Sequence, residues 1–417
     1  MTEYAERLVL GANDTVCAGF VRPKEAAEMT ASRTVTNCDQ SQGALTMTDS
    51  TPTDPRIRVG IVGLTPERSW SAQTHVPALR ALPAYDVVGV ANSSPESSRA
   101  AAEALDVPKA FADARRLADD PELDLVAVTV KVPHHREPVD AALDARKMVY
   151  CEWPLGTDLA DAEAMAKHAR DAGVRTAIGL QARSAPTIRY VRDLVRDGYV
   201  GDVLSTTLIG SISTMGATEP QANVYLNDRA NGANGLTIPF GHTIDALCWV
   251  LGEFREVSAT TAIRRPTYVV TETQEVRTRD VDDQIAVSGV LTNGIVVSAH
   301  YRGGRSRATN LLWEINGTEG DLQVTAPVGH AQLAELTLHG GRGEDKALSL
   351  MEIPAKYRTV PPELTGPAVT VAEAYARFAE GPSSPDPLPD FDEAVRRHRL
   401  LDAIEHSAAT GERVTLR

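Results

Sequence analysis

The chain has 417 residues, 42% of them hydrophobic, which is enough for two buried cores and more than one compact domain ordinarily holds. Its 56 acidic residues outnumber 42 basic ones, and the net charge of −14 argues against a sequence-independent grip on nucleic-acid phosphates. No run of about 18 apolar residues and no basic stretch leading into an apolar one is present, so neither membrane span nor signal peptide is expected, and the cytoplasm is the expected setting.

Residues 1–55 are rich in Thr, Ser, Asp and Ala, lack a sustained apolar period and end in the turn-prone run Asp49 to Pro55. They read as a poorly ordered extension. Met47 stands just before the first strand and is a candidate native start, a hypothesis that N-terminal sequencing of the native product contradicts if it finds earlier residues. Cys17, Cys38, Cys151 and Cys248 are scattered without CxxC or Cys/His ligand spacing, which points to reduced thiols and no metal site.

From Arg56 apolar runs alternate with amphipathic stretches. Strands are expected at Ile57 to Gly63, Asp86 to Ala91, Asp124 to Val130, Met148 to Cys151 and Thr176 to Leu180. Helices are expected at His75 to Leu82, Pro95 to Leu105, Ala114 to Ala118, Arg136 to Ala145 and Leu159 to Ala172. That alternation predicts an α/β domain over 56–182, a doubly wound, mainly parallel sheet of the Rossmann kind. Strands with period-two alternation follow at Val203 to Ile212, Glu256 to Ala262, Gln284 to Leu291, Ile295 to Tyr301, Leu311 to Ile315 and Leu322 to Thr325, with Asn293-Gly294 as a hairpin signal. They predict an α+β domain over 183–417 built on a mostly antiparallel sheet, whose outer face pairs copies into a dimer or tetramer. A last helix, Asp390 to Thr410, stops at Gly411 and is expected to pack back on the first domain.

A dinucleotide turn wants three glycines between strand and helix, and in the run from Gly60 to Trp70 only Gly63 fits; Thr65 and Arg68 hold the other two places. An ordinary strand-turn-helix gives the same signal, but the turn follows the first strand of a βαβ series, at a helix N-terminus suited to phosphate. After the second strand stand Asn92, Ser93 and Ser94, with Arg99 nearby, where an NAD site commonly has an acid; this tilts the expectation toward NADP. The same residues serve equally as turn and N-cap residues.

The run Val126 to His135, followed by Val149-Tyr150-Cys151-Glu152-Trp153-Pro154-Leu155, resembles the fourth-strand segment and Glu-Lys-Pro motif of the glucose-fructose oxidoreductase, inositol dehydrogenase and MocA family. Gly241-His242-Thr243-Ile244-Asp245 resembles its active-site helix and Phe391 to Val414 its closing helix, so the likeness covers about residues 56–417. The Gly63-Leu64-Thr65 loop ending in Ser69-Trp70, the Val130-Lys131-Val132-Pro133 segment, Glu152-Trp153 and Phe240 to Asp245 most resemble the fungal galactose-regulon co-repressor subgroup, which binds dinucleotide without enzymatic duty. Two positions depart from the family: its usual catalytic Lys is Trp153 and its usual Asp, four residues before the histidine, is Ile238.

The resemblance implies NADP or NAD as cofactor and a sugar, polyol or glycoside-like small molecule as substrate. It places Gly63, Leu64, Thr65, Ser69, Trp70, Asn92, Ser93, Ser94, Arg99, Val130, Lys131, Val132, His135, Glu152, Trp153 and Gln181 around the cofactor. His242 is the candidate general acid/base, against a buried structural histidine. Lys131 is a candidate replacement for the missing lysine, or a partner of phosphate or Glu152. Trp153 offers a face for stacking or a core side chain. Arg183, Tyr225 and Asp245 are candidate substrate contacts, although Arg183 can equally pair with an acid, and Tyr225 shares a polar, lid-like loop with Asn227, Asp228 and Arg229. Two functions stand side by side: an NAD(P)-dependent dehydrogenase or reductase, and a dinucleotide-gated sensor acting through protein contacts.

Overall fold

The computed structural model describes residues 56–416, and these form one compact unit with the flanking termini left aside. The extension, Met47, Cys17 and Cys38 lie outside the described residues. Elements in the first part are β1 (Ile57–Val62), α1 (Trp70–Gln73), α2 (His75–Arg80), β2 (Tyr85–Ala91), α3 (Pro95–Ala104), β3 (Lys109–Phe111), α4 (Ala114–Ala118), β4 (Leu125–Val128), α5 (Arg136–Asp144), β5 (Met148–Glu152), α6 (Leu159–Ala172) and β6 (Thr176–Gly179). All six strands pair in parallel in the order β3-β2-β1-β4-β5-β6, so the strand order reverses between β1 and β4, where open sheets of this kind leave a crevice.

Helix boundaries follow local chemistry. Ser94 caps α3 in a reciprocal pair with Ser97, Asp158 caps α6, and left-handed Gly173 stops α6. β4 is apolar at every position and buried on both faces, as a central parallel strand must be.

After α7 (Pro186–Arg196) the chain builds a sheet from β7 (Val203–Ile212), β9 (Phe254–Ala262), β12 (Gln284–Leu291), β13 (Val296–Gly303), β14 (Leu311–Gly317), β15 (Gly320–Ala326), β16 (Thr337–Arg342), β17 (Ser349–Met351) and β18 (Val414–Thr415). The order is β17-β16-β15-β14-β7-β13-β12-β9-β18, antiparallel except where β7 meets β13. β8 (Thr218–Glu219), β10 (Thr267–Val270) and β11 (Val276–Thr278) make a small separate sheet. In β13, Val297, Ala299 and Tyr301 face inward while Val296, Ser298 and His300 are exposed, the expected two-residue alternation. Gly294 turns the β12–β13 hairpin in a left-handed conformation, as the Asn-Gly pair predicts.

Helix α8 (Gly241–Leu251) follows a π-helical turn at Leu236–Phe240, α9 (Ala368–Ala379) covers the first sheet against α2, and α10 (Phe391–Thr410) packs on α6, β6 and β9. One continuous apolar core runs from Val62 and Val128 in the first sheet through Phe240 and Ile244 to Leu208 and Tyr301 in the second. The C-terminal end of β5 is thereby held against the start of α8.

Candidate functional site

The turn leaving β1 is shaped for close approach. Gly63 has φ of +96°, and a Cβ there would lie 2.6 Å from Val130 Cγ1 and 2.9 Å from the Val130 amide, so only glycine lets the ends of β1 and β4 touch. The rest of the turn is closed on itself. Asn92 takes the Leu64 amide at 2.8 Å and donates back to the Leu64 carbonyl at 2.9 Å. Ser69 accepts from the Thr65 amide at 3.0 Å, donates to the Thr65 carbonyl at 2.8 Å and caps α1, while Ser71 donates to the Gly63 carbonyl.

These contacts bear on several sequence expectations. The side chain of Asn92 latches the loop and Ser94 caps α3, which are the turn and N-cap alternatives; Ser93 is exposed. Arg99 pairs with Glu96 one turn away on the outer face, at 3.0 Å, so an acid sits on the guanidinium that the NADP expectation relied on. His135 is buried with Nε2 facing the Val130 carbonyl at 3.0 Å and Nδ1 facing the Leu155 carbonyl at 3.2 Å; it braces the loops after β4 and β5 and has no free nitrogen for a cofactor. Burial keeps its pKa low.

Glu152, at the end of β5, is fixed by Gln181, which the sequence put at the site, and by His75 and Tyr375, which sequence reasoning missed. His75 Nε2 lies 2.9 Å from Glu152 Oε1, His75 Nδ1 lies 2.8 Å from the Tyr375 hydroxyl, and Gln181 Nε2 donates to both carboxylate oxygens at 2.7 and 2.8 Å. Tyr375 is 300 residues from His75, a separation no local pattern bridges. Glu152 therefore neither caps a helix nor pairs with Lys131 among the described residues. Gln181 Oε1 and the hydroxyl of Tyr150, which stacks on Tyr375, are buried in this cluster without partners, and Trp70 Nε1 is likewise buried and unpartnered.

Trp153 takes the core position rather than a stacking one. It is 4% exposed, donates from Nε1 to the Thr237 carbonyl at 2.7 Å and packs 4.8 Å from the His398 ring. Arg183 and Asp245, expected at the substrate, instead meet each other: Arg183 grips Asp245 through two bonds of 2.6 Å and Glu393 at 2.8 Å, and Arg397 joins Asp245 at 3.1 Å and Glu253 at 2.9 Å. Asp245 is 0% exposed; burial pushes its pKa up, but the two guanidinium groups more than offset this and hold it below the usual range. Asp245 lies on α8 and Arg397 on α10, so the network ties these helices together.

Lys131 is exposed, against the expectation of a desolvated lysine. Its ammonium stands 4.3 Å over the ring of Tyr225, so the two meet at the rim between the halves. Val130 and Val132 flank it, one half-buried and one buried. Burial pushes the Tyr225 phenol up.

His242 is 3% exposed, its ring makes no hydrogen bond among the described residues, and Nδ1 is fully buried without a partner. Burial pushes its pKa down to about 4, against smaller upward pulls from Glu152 and Asp245. A neutral imidazole with a free nitrogen, close enough to Glu152 to feel its charge, accepts a proton rather than donates one near neutrality. His330 and Gln332, both buried with unpartnered atoms, were also missed by sequence reasoning. Cys151 and Cys248 are buried free thiols on separate elements, and among the described residues no cluster has metal-ligating spacing. No helix among them is long and apolar enough to cross a membrane.

Comparison with known proteins matches residues 57–180 to a family model described as an oxidoreductase family with an NAD-binding Rossmann fold, and residues 186–326 to one described as the Gal80p C-terminal domain. The chain is 32% identical over 369 residues to the dehydrogenase aclE of Aspergillus oryzae, covering 86% of this chain and 97% of that protein. It is 26% identical over 291 residues to the 1,5-anhydro-D-fructose reductase of Ensifer adhaerens, covering 69% and 82%. The crystal structure of a super-repressor mutant of Gal80p from Saccharomyces cerevisiae superposes with a TM-score of 0.79 at 25% identity, covering 86% of this chain and 97% of that one.

Proposed function

We propose a function from one premise: the chain belongs to the glucose-fructose oxidoreductase, inositol dehydrogenase and MocA family of oxidoreductases, near its Gal80 subgroup. The function is hydride exchange between a nicotinamide dinucleotide and a hydroxyl or carbonyl carbon of a sugar, polyol or glycoside-like substrate. Residues 56–182 hold the nucleotide and 183–417 the substrate. The observation that carries this reading is His242, a buried neutral imidazole with a free nitrogen at the meeting of the two halves.

The residues at the crevice fit a dinucleotide in part. Gly63 admits a close approach, and Trp70 Nε1 and Gln181 Oε1 are buried groups in want of partners. Because the amides of Leu64 and Thr65 and the hydroxyl of Ser69 are already engaged, phosphate falls to the hydroxyl of Thr65 and to the exposed Arg68. Glu152, held still by His75 and Gln181, accepts from the ribose hydroxyls. When bound, the nicotinamide supplies the hydride acceptor or donor. His242 takes the hydroxyl proton of the substrate, and its low pKa favours oxidation of an alcohol over reduction of a carbonyl. Lys131 with Tyr225 closes the rim and limits entry of water. NAD and NADP both remain in the proposal, since Glu96 subtracts from the charge of Arg99. Copies pair through the outer sheet face, where Leu204 and Val296 are exposed.

A second reading has a specific observation behind it. The positions where the family carries its Lys and Asp hold Trp153 and Ile238, neither of which titrates, so the same pocket suits a dinucleotide-gated sensor that biases a protein contact without turnover. Turnover separates the two. With a panel of sugars and polyols, wild-type protein is expected to change the nicotinamide absorbance of its bound cofactor, and His242→Ala to lower kcat/KM by roughly 10²–10⁴-fold, the usual worth of a general base. Full turnover in that variant removes His242 from the chemistry; cofactor binding with no turnover of any compound favours the sensor.

A further inference from the structure

Between β15 and β16 the chain makes a segment, 327–336, that is firmly built yet carries unmatched polar side chains. The Gly329 amide donates to the Ser211 carbonyl at 2.9 Å, and a Cβ on Gly329 would lie 2.6 Å from the Ser211 amide, so the segment presses directly on the end of β7. The amides of Leu333 and Ala334 both fold onto the His330 carbonyl at 3.0 Å. The Gln332 and Leu336 carbonyls accept from the hydroxyls of Thr370 on α9 and Thr187 on α7, at 3.2 and 3.3 Å. The backbone is thus pinned to three elements.

Against that, His330 is 6% exposed and both its ring nitrogens lack partners, and Gln332 is 3% exposed with Oε1 bare. Buried polar atoms in native proteins are almost always matched, by protein, ordered water or ligand, so three unmatched ones on a rigid segment mark a place where a ligand can bond. Ala331 and Leu336 of the segment belong to the same apolar core as Phe240 and Ile244, which flank His242 in sequence, and charge on the His242 imidazole opposes charge on that of His330, so the segment faces the proposed centre of reaction. Burial pushes His330 down to about 4, so the set is neutral near pH 7: one imidazole donor, one imidazole acceptor and one amide acceptor. Such a set offers no counter-charge to phosphate or carboxylate. Its mixture of donors and acceptors matches hydroxyl groups, each of which does both.

We propose that segment 327–336 is the substrate-recognition element, with His330 and Gln332 binding hydroxyls of an uncharged polyhydroxylated substrate beside the carbon that reacts at His242. This rests on the oxidoreductase reading and deepens it. Removing one matched partner of a buried hydroxyl weakens binding by about tenfold or more, whereas a group that contacts non-reacting hydroxyls changes kcat little.

The test measures KM and kcat on the full chain with NAD or NADP, using myo-inositol, D-glucose and D-galactose as probes, together with the dissociation constant for the reduced nucleotide. His330→Phe and Gln332→Met are expected to raise KM at least about tenfold, to change kcat by less than about threefold and to leave nucleotide affinity as in wild type. Should His330→Phe lose the nucleotide through misfolding, Gln332→Met decides alone. Unchanged KM in the folded variants overturns this assignment and leaves the oxidoreductase reading standing; a wild-type chain that accepts none of the three probes while turning over a charged substrate overturns it also. Failure of the wild type to turn over any hydroxyl or carbonyl compound overturns both.

Discussion

His242 shows how burial alone sets chemistry. Its nearest charges are carboxylates that favour the protonated ring, yet desolvation wins and the pKa falls to about 4. Ile238, four residues earlier, is where a carboxylate would add to the upward pull. Replacing it should therefore retune the base: in Ile238→Asp, the acid limb of kcat/KM is expected to move to higher pH and carbonyl reduction to gain relative to alcohol oxidation. A pH-rate profile that does not move would show that position 238 is uncoupled from the imidazole. Residue identities alone could not reach this point. The sequence places His242 correctly beside a glycine at a helix start, but burial and the lack of a partner are properties of the packed molecule. His75, Tyr375 and His330 carry no local signal, because each meets its neighbours only through long-range packing.

At the scale of elements, the strands and helices of 56–182 were largely legible, because buried parallel strands read as short apolar runs and the intervening helices as amphipathic ones. Expected and observed ends differ by one or two residues, and Leu159–Ala172, Val203–Ile212 and Gln284–Leu291 coincide. α9 escaped notice for a physical reason: Ala368, Val371, Ala372, Tyr375 and Phe378 are buried together with Thr370, Glu373 and Arg377, so no polar face marks its period. β16 carries Gly340 and Gly341 in its middle and β17 is only three residues long, so neither shows a clear alternation. The residues expected at the substrate, Arg183 and Asp245, are what join the turn Gln181–Ser184, α8 and α10 instead. Breaking that network by Asp245→Ala leaves two buried guanidinium groups short of a counter-charge and should cost about 3–5 kcal/mol in urea unfolding. A loss under about 0.5 kcal/mol would mean that Glu253 and Glu393 compensate fully.

Across the whole molecule, buried imidazoles make stability depend on acid, the His135 ring held low by burial among them. His242, His330 and His398 each have a folded pKa of about 4 against an ordinary 6.5. A depressed folded value means the stabilisation is complete above pH 6.5 and is lost as pH falls toward 4, at about 3 kcal/mol per imidazole by the usual 1.36 kcal/mol per unit. Glu219 opposes them, since burial raises it to about 7 and its contribution is lost as pH rises, but one carboxyl offsets about one imidazole. Melting temperature is therefore expected to fall steeply between pH 6.5 and 4; a flat profile there would mean that the imidazoles are open to water.

The crevice between β1 and β4, as the seat of the nucleotide, is the centre of every role proposed above. Titration of the purified full chain with NADH and with NADPH, followed by nicotinamide fluorescence, tests it most directly. Saturable binding of at least one nucleotide, weakened by Gly63→Val, whose side chain would collide with Val130, is the expected result. No binding of either nucleotide to folded protein would contradict it.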